Sequence, residues 1–271
     1  MLLREVEYAR PSSVDEAVRL LASNEGARAL AGGQTLINVM KARAASPDVL
    51  VDLNQLDDLR SITVSGETLQ LGAMATYTQI MASSEVDVSR PILAEVAAQI
   101  ADVQVRNRGT IGGNVCSNDP TNHLPPLLVA LGASMTIRGA NGERSVSAEE
   151  FFLGVYLTAV GEGELLLSVS VPAAANAADG FASITIGRDG TCIASAAASL
   201  EGGATRIALG CVDAVPVVVT PAAVDEASVR EAVVGAGLEP PSDVHASADY
   251  RRHLASVCAV RAVQQASERR Q

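Results

Sequence analysis

The residues best suited to chemistry in this sequence lie in two short glycine turns. They are Ala31-Gly32-Gly33-Gln34-Thr35-Leu36-Ile37 and Thr110-Ile111-Gly112-Gly113-Asn114. Each has a Gly-Gly pair near a hydroxyl residue, at the mouth of an apolar segment. Paired glycines let the backbone turn tightly with positive φ and bring bare N–H groups close to a ligand. Consecutive N–H groups converging on one concavity form a nest for phosphate oxygens. Two nests from distant parts of one chain suit a diphosphate, and the plainer alternative is a pair of ordinary Gly-Gly turns. Neither stretch is a GxGxxG or a GxxxxGK[ST], so neither Rossmann nor P-loop logic applies. Arg106 and Arg108 precede the second turn and are candidates to meet a phosphate. Solvated arginines at a helix end are the alternative.

The remaining inventory holds little acid–base chemistry. Of the three histidines, His123, His245 and His253, only His123 falls near a glycine turn. No HExxH or GxSxG is present, and no nucleophile sits beside a base. No catalytic side chain is therefore expected. A chain with two phosphate nests and no such machinery reads as a cofactor carrier, because a dinucleotide brings its own reactivity.

Composition narrows the partners. The net charge of −11 argues against nucleic acid or an anionic membrane. Aromatics at 3% without Trp argue against a platform for stacking bases. Cys116, Cys192, Cys211 and Cys258 are far apart, so no zinc or iron–sulfur site is expected in this chain. Scattered cysteines and the lack of a signal peptide point to a reducing cytoplasm. No apolar run approaches the ~20 residues that span a bilayer.

Around the turns, the first 60 residues read as strand, helix, strand, loop, helix, strand. A capping box at Ser13–Glu16 starts the first helix, and the first glycine turn opens a helix over residues 34–44. This βαβαβ order predicts a small sheet with covering helices. From Ile62 short strands alternate with helices over 76–82, 91–102 and 127–131. A polar loop, 118–126, precedes the last of these and could wall a ligand, or serve as a plain helix-entry turn. A hairpin around Asn141-Gly142 is expected to have a type I′ turn, and residues 164–171 form a buried strand closed by Pro172. The small, polar run 173–179 marks a domain boundary. Beyond it, strands over 181–186, 193–200 and 206–212 form an antiparallel meander, followed by helices near 225–234 and 250–266.

These pieces, in this order, resemble the flavoprotein (medium) subunit of molybdenum hydroxylases. The resemblance runs through Tyr8-Ala9-Arg10-Pro11, the first glycine turn, Lys41-Ala42-Arg43 and Val51-Asp52-Leu53. It continues through Gly72-Ala73-Met74-Ala75-Thr76, the second glycine turn, Asp119-Pro120, Leu124-Pro125-Pro126 and Tyr250-Arg251-Arg252. It implies an α+β chain with an FAD-binding domain of the vanillyl-alcohol-oxidase (PCMH) type over 1–172, in subdomains of about 1–57 and 58–172. A small C-terminal domain with a three-stranded antiparallel sheet and helices would follow over 179–271. The family's role is electron transfer. A molybdopterin large subunit hydroxylates the substrate, and two [2Fe-2S] clusters on a small subunit pass electrons to FAD on this chain, within a heterohexamer of two such triplets.

By the same resemblance, Leu30–Ile37 and Thr110–Asn114 hold the FAD, with Thr76, Ile100, Asp119, His123, Val171, Arg188 and Ile193 completing its contacts. His123 stands where the family usually has an acidic residue. Arg188 is the only cation left in a stretch that is often more basic, and Ile193 replaces an aromatic over the flavin face. The readings that compete are a free-standing FAD oxidoreductase and a flavin-less assembly module of the same fold.

Overall fold

The computed structural model describes residues 3–174, 178–187, 190–201 and 203–270 of the chain. The first layer is built from β1 (Glu7–Ala9), α1 (Val14–Ser23), β2 (Arg28–Leu30), α2 (Leu36–Lys41) and β3 (Val49–Asp52). The strands form a parallel sheet in the order β1-β3-β2, as the βαβαβ reading requires. Ser13 caps α1 through Glu16 N, and Ala17, Val18 and Leu21 face the sheet. α2 is shorter than the expected 34–44. Its first turn begins after the glycine pair, and Arg43 with φ of 64° stops it.

A 3-10 turn (Asp57–Arg60) leads to the second layer. This contains β4 (Ile62–Ser65), β5 (Thr68–Gly72), α3 (Tyr77–Ala82), α4 (Ser84–Ser89), α5 (Ile92–Ala98), α6 (Val103–Arg108), α7 (Ile111–Ser117) and α8 (Leu124–Ala130). It continues with β6 (Ser134–Gly139), β7 (Gly142–Ser147), α9 (Ala148–Phe151), β8 (Phe152–Gly154), β9 (Leu157–Thr158) and β10 (Leu165–Pro172). The main sheet is antiparallel, in the order β4-β5-β10-β6-β7. The helix expected over 91–102 ends at Ala98, and beyond a left-handed Ala101 with φ of 43° Asp102 caps a separate helix, α6. The β6–β7 hairpin forms, but positive φ falls on Gly142 and on neither Ala140 nor Asn141. The turn is therefore not type I′, which needs two consecutive left-handed residues.

The C-terminal layer has four strands rather than three: β11 (Ala178–Thr185), β12 (Cys192–Glu201), β13 (Ala204–Gly210) and β14 (Val217–Val219). β14 lies between Pro216 and Pro221, which disguise a three-residue strand as a loop. As an edge strand it tolerates both prolines. α10 (Glu226–Gly235) and α11 (Ala248–Arg269) follow, and α11 packs on β11 and β12. A Cβ on Gly180 would strike the α11 backbone at Ala262, which explains the small residues of these strands. Part of the expected boundary, residues 175–177, lies outside the described residues.

Arg90 joins the second layer to the third. Its guanidinium is fully buried and donates to Pro172 O at 3.1 Å, Asp179 Oδ1 at 3.0 Å and Ser199 Oγ at 3.0 Å.

Candidate functional site

β2 delivers the chain into the first glycine turn at the edge of the parallel sheet, and α2 carries it away. Gly33 has φ of 73°, which only glycine adopts without strain. Gly32 is required for a different reason: a Cβ there would strike the Arg108 carbonyl. That close approach seats the first turn on the residues that enter the second, and Gly113 comes to rest against Ala31.

The hydrogen bonds of the first turn are divided by side. Leu30 O accepts from Leu53 N at 3.0 Å, Ala31 O from Asn54 Nδ2 at 3.1 Å and Gly32 O from Gln34 Nε2 at 3.2 Å. Gly33 O accepts from Ile37 N at 3.2 Å, Gln34 O from Asn38 Nδ2 at 2.7 Å and Thr35 O from Val39 N at 3.0 Å. Among the described residues, the N–H groups of Gly32, Gly33, Gln34 and Thr35 donate to no protein acceptor. Gly32, Gly33 and Gln34 are half-buried and Thr35 is exposed, and a row of half-buried N–H groups suits an outside acceptor. Gly32, Gly33 and Gln34 border a pocket of about 280 Å³ that Ile37, Lys41 and Arg108 also line.

The second turn is organised differently. It is the first turn of α7, capped by Thr110, and its N–H groups already have partners. Ile111 N donates to Ala75 O at 3.0 Å, Gly112 N to Ala73 O at 2.9 Å, Gly113 N to Thr110 Oγ1 at 3.0 Å and Asn114 N to Thr110 O at 3.0 Å. What it leaves unsatisfied is a side-chain atom, Asn114 Oδ1, on a residue only 8% exposed. Burial pushes the neighbouring Tyr77 phenol up to about 12, with the Asn114 amide acting against the rise. An orphaned buried acceptor requires a donor, and a ligand hydroxyl would supply one. The unpartnered N–H groups of the first turn, beside Lys41 and Arg108, fit a diphosphate, and the orphaned Asn114 Oδ1 on the second turn fits a ligand hydroxyl.

The other residues singled out in the sequence are distributed around this centre. Thr76 caps α3 with Gln79 and bridges to Thr110. Ile100 is half-buried against the core, and its carbonyl and that of Ala101 are held by Arg106 at 2.9 and 2.6 Å. Arg106 is thus occupied, whereas the side chains of Arg108 and Lys41 pair with no other described residue, and both residues line the pocket. Asp119 holds Thr121 N at 2.9 Å and Tyr156 Oη at 3.1 Å. His123 is buried against Phe181, with ring centroids 5.4 Å apart, and burial lowers its pKa. Ile111, Val171 and Ile193 have enclosed side chains, so they can offer a ligand little beyond backbone. For Ile193 this corrects the expected cover over a flavin face: β12 is central, and Ile193 packs in the core under α11. Arg188 lies outside the described residues. Sequence reasoning overlooked Asn38 and Asn54, whose roles arise from contacts with backbone carbonyls.

Comparison with known proteins defines the class. Residues 4–174 match the family described as the FAD binding domain in molybdopterin dehydrogenase. The carbon monoxide dehydrogenase medium chain of Afipia carboxidovorans is 36% identical over 290 aligned positions, covering 99% of each chain. That of Hydrogenophaga pseudoflava is 44% identical over 174 residues, which is 64% of this chain and 61% of its relative. A crystal structure of Cu,Mo-CO dehydrogenase superposes with a TM-score of 0.94 at 35% identity, covering 99% of this chain and 100% of the other. The chain therefore belongs to the FAD-binding medium subunits of the molybdenum hydroxylases, as an oxidoreductase subunit.

Among the described residues, no helix is long and apolar enough to cross a membrane, and no cluster of His, Cys, Asp and Glu could hold a metal ion.

Proposed function

We propose that this chain carries the FAD of a three-component molybdenum hydroxylase in the cytoplasm. It takes electrons from the [2Fe-2S] clusters of a small subunit and passes them to an external acceptor, while a molybdopterin large subunit hydroxylates the substrate. The assembly is a heterohexamer of two large–medium–small triplets. The FAD domain, of the vanillyl-alcohol-oxidase type, spans 1–172 in two subdomains, and residues 179–271 form the C-terminal domain.

The observation that carries this reading is the first turn itself, whose carbonyls are engaged by the protein while its N–H groups stay unpartnered beside a pocket. Bound there, FAD supplies an acceptor matched to one-electron iron–sulfur donors and able to release electrons singly or in pairs. The chain's own task is to bind and orient. The N–H groups of Gly32 to Thr35 hold the diphosphate oxygens, and Lys41 and Arg108 offset their charge within an acidic protein. Asn114 Oδ1 accepts from a cofactor hydroxyl. Thr76, Ile100, Thr110 to Gly113, Asp119, His123 and Val171 shape the rest of the cleft. No side chain here is assigned a proton-transfer step, in keeping with electron relay.

Titration of the flavin-free chain with FAD and with riboflavin tests this directly. FAD should bind at least about tenfold more tightly, since riboflavin lacks the whole ADP half, including the diphosphate that the turn holds. Gly32→Ala, which drives a methyl group onto the Arg108 carbonyl, should abolish that preference. Equal affinity for the two flavins in the wild type would contradict the reading.

A further inference from the structure

One hydrogen-bond network outside the pocket ends on the first glycine turn. Asn54 follows β3, and its Nδ2 donates to Ala31 O at 3.1 Å and to Asp52 Oδ1 at 2.6 Å. Its Oδ1 accepts from Arg60 Nη2 at 3.2 Å, and the same nitrogen reaches the Asn54 carbonyl at 3.1 Å. The amide therefore has one orientation, with both hydrogens facing acceptors and its oxygen facing a cation. Asp52 is fixed in turn by Tyr8 Oη on its Oδ2, by Asn54 N at 3.0 Å, and by Arg10 at 3.8 Å. Asp52 is nearly fully buried, and burial opposes its ionisation. The Tyr8 and Asn54 hydrogen bonds nevertheless hold its carboxyl below the usual range.

The described chain contains no cis peptide bond. In a trans peptide, the carbonyl and the following N–H point to opposite sides of the chain. Holding the Ala31 carbonyl on Asn54 therefore turns the Gly32 N–H away from Asn54, and Gly32 lines the pocket. Without that hold, a peptide next to Gly32 and Gly33 can rotate, because glycine tolerates both resulting conformations.

We infer that Asn54 is a positioning residue for the cofactor: by fixing the Ala31–Gly32 peptide, it aims the first N–H of the turn at the diphosphate. The inference rests on the FAD reading above and extends it to a residue that touches no ligand. Asp52, Tyr8 and Arg60 act through Asn54.

The test uses the full flavin-free chain, titrated with FAD and with riboflavin, together with phosphorus NMR of the FAD-bound forms. Asn54→Asp keeps the shape and the Arg60 contact but sets an acceptor against the Ala31 carbonyl. FAD affinity should fall about tenfold or more, riboflavin affinity should stay within about twofold, and the bound diphosphate resonances should shift. Asn54→Ala removes the donor without adding charge. It should repeat the pattern with a smaller loss, and it decides the matter if Asn54→Asp does not fold. Wild-type FAD affinity and resonances in these variants would overturn the inference, as would an equal loss of FAD and riboflavin. A wild-type chain that binds neither FAD nor ADP would overturn the cofactor reading, and this inference with it.

Discussion

His123 packs on Phe181, and burial lowers its pKa from the ordinary 6.5. The folded chain thus keeps the imidazole neutral at pH values where the unfolded chain protonates it. Because the folded state then binds fewer protons, this contribution to stability is complete above pH 6.5 and declines as pH falls below it. Melting temperatures should accordingly drop on going from about pH 7 to pH 5, and His123→Phe should remove much of that slope. An unchanged slope in His123→Phe would assign the acid sensitivity to other groups. The residues of the site were unequally legible. Gly32 and Gly33 announce themselves because backbone N–H chemistry needs glycine, whatever lies elsewhere in the chain. Asn54 does not, because its partner is a carbonyl 23 residues away and nothing in a local pattern marks it. The sequence pattern marks Asn114 as part of a backbone nest, whereas the N–H groups around it are occupied and its side-chain oxygen is the unsatisfied atom.

Arg90 connects the end of β10 to the start of β11 and the end of β12 through one buried guanidinium. Replacing it with Met would leave Asp179 buried without its cation, and breaking a buried pair from one side costs about 3–5 kcal/mol. Chemical denaturation of Arg90→Met should show a loss of that order, and a loss below about 1 kcal/mol would mean that the layers are held by apolar packing alone. Elements with local signals were recovered from sequence, including the capped α1 and the alternation of strands and helices around the first turn. Those defined by tertiary context were not. The break between α5 and α6 depends on a left-handed Ala101, and β14 is a three-residue strand that exists because β13 offers an open edge. The hairpin at Asn141-Gly142 was legible as a hairpin but not in its turn type, since positive φ falls on Gly142 alone.

The chain superposes over 99% of its length on a chain of a Cu,Mo-CO dehydrogenase, and the core of the second layer continues into the C-terminal sheet through Phe181, Ala197 and Ala208. The proposed electron relay needs a donor and an acceptor from outside this chain, whose own part is to hold the cofactor between them. Its net charge of −11 makes the cationic mouth of Lys41 and Arg108 a local feature set against the overall field. The measurement that tests the central claim most directly is native co-purification of this chain from cells that express it, with molybdenum and iron analysis and a flavin count. The account predicts co-elution with two further subunits, molybdenum, iron and about one FAD per copy of this chain. A flavin-loaded chain that elutes alone, without molybdenum or iron, would contradict the relay.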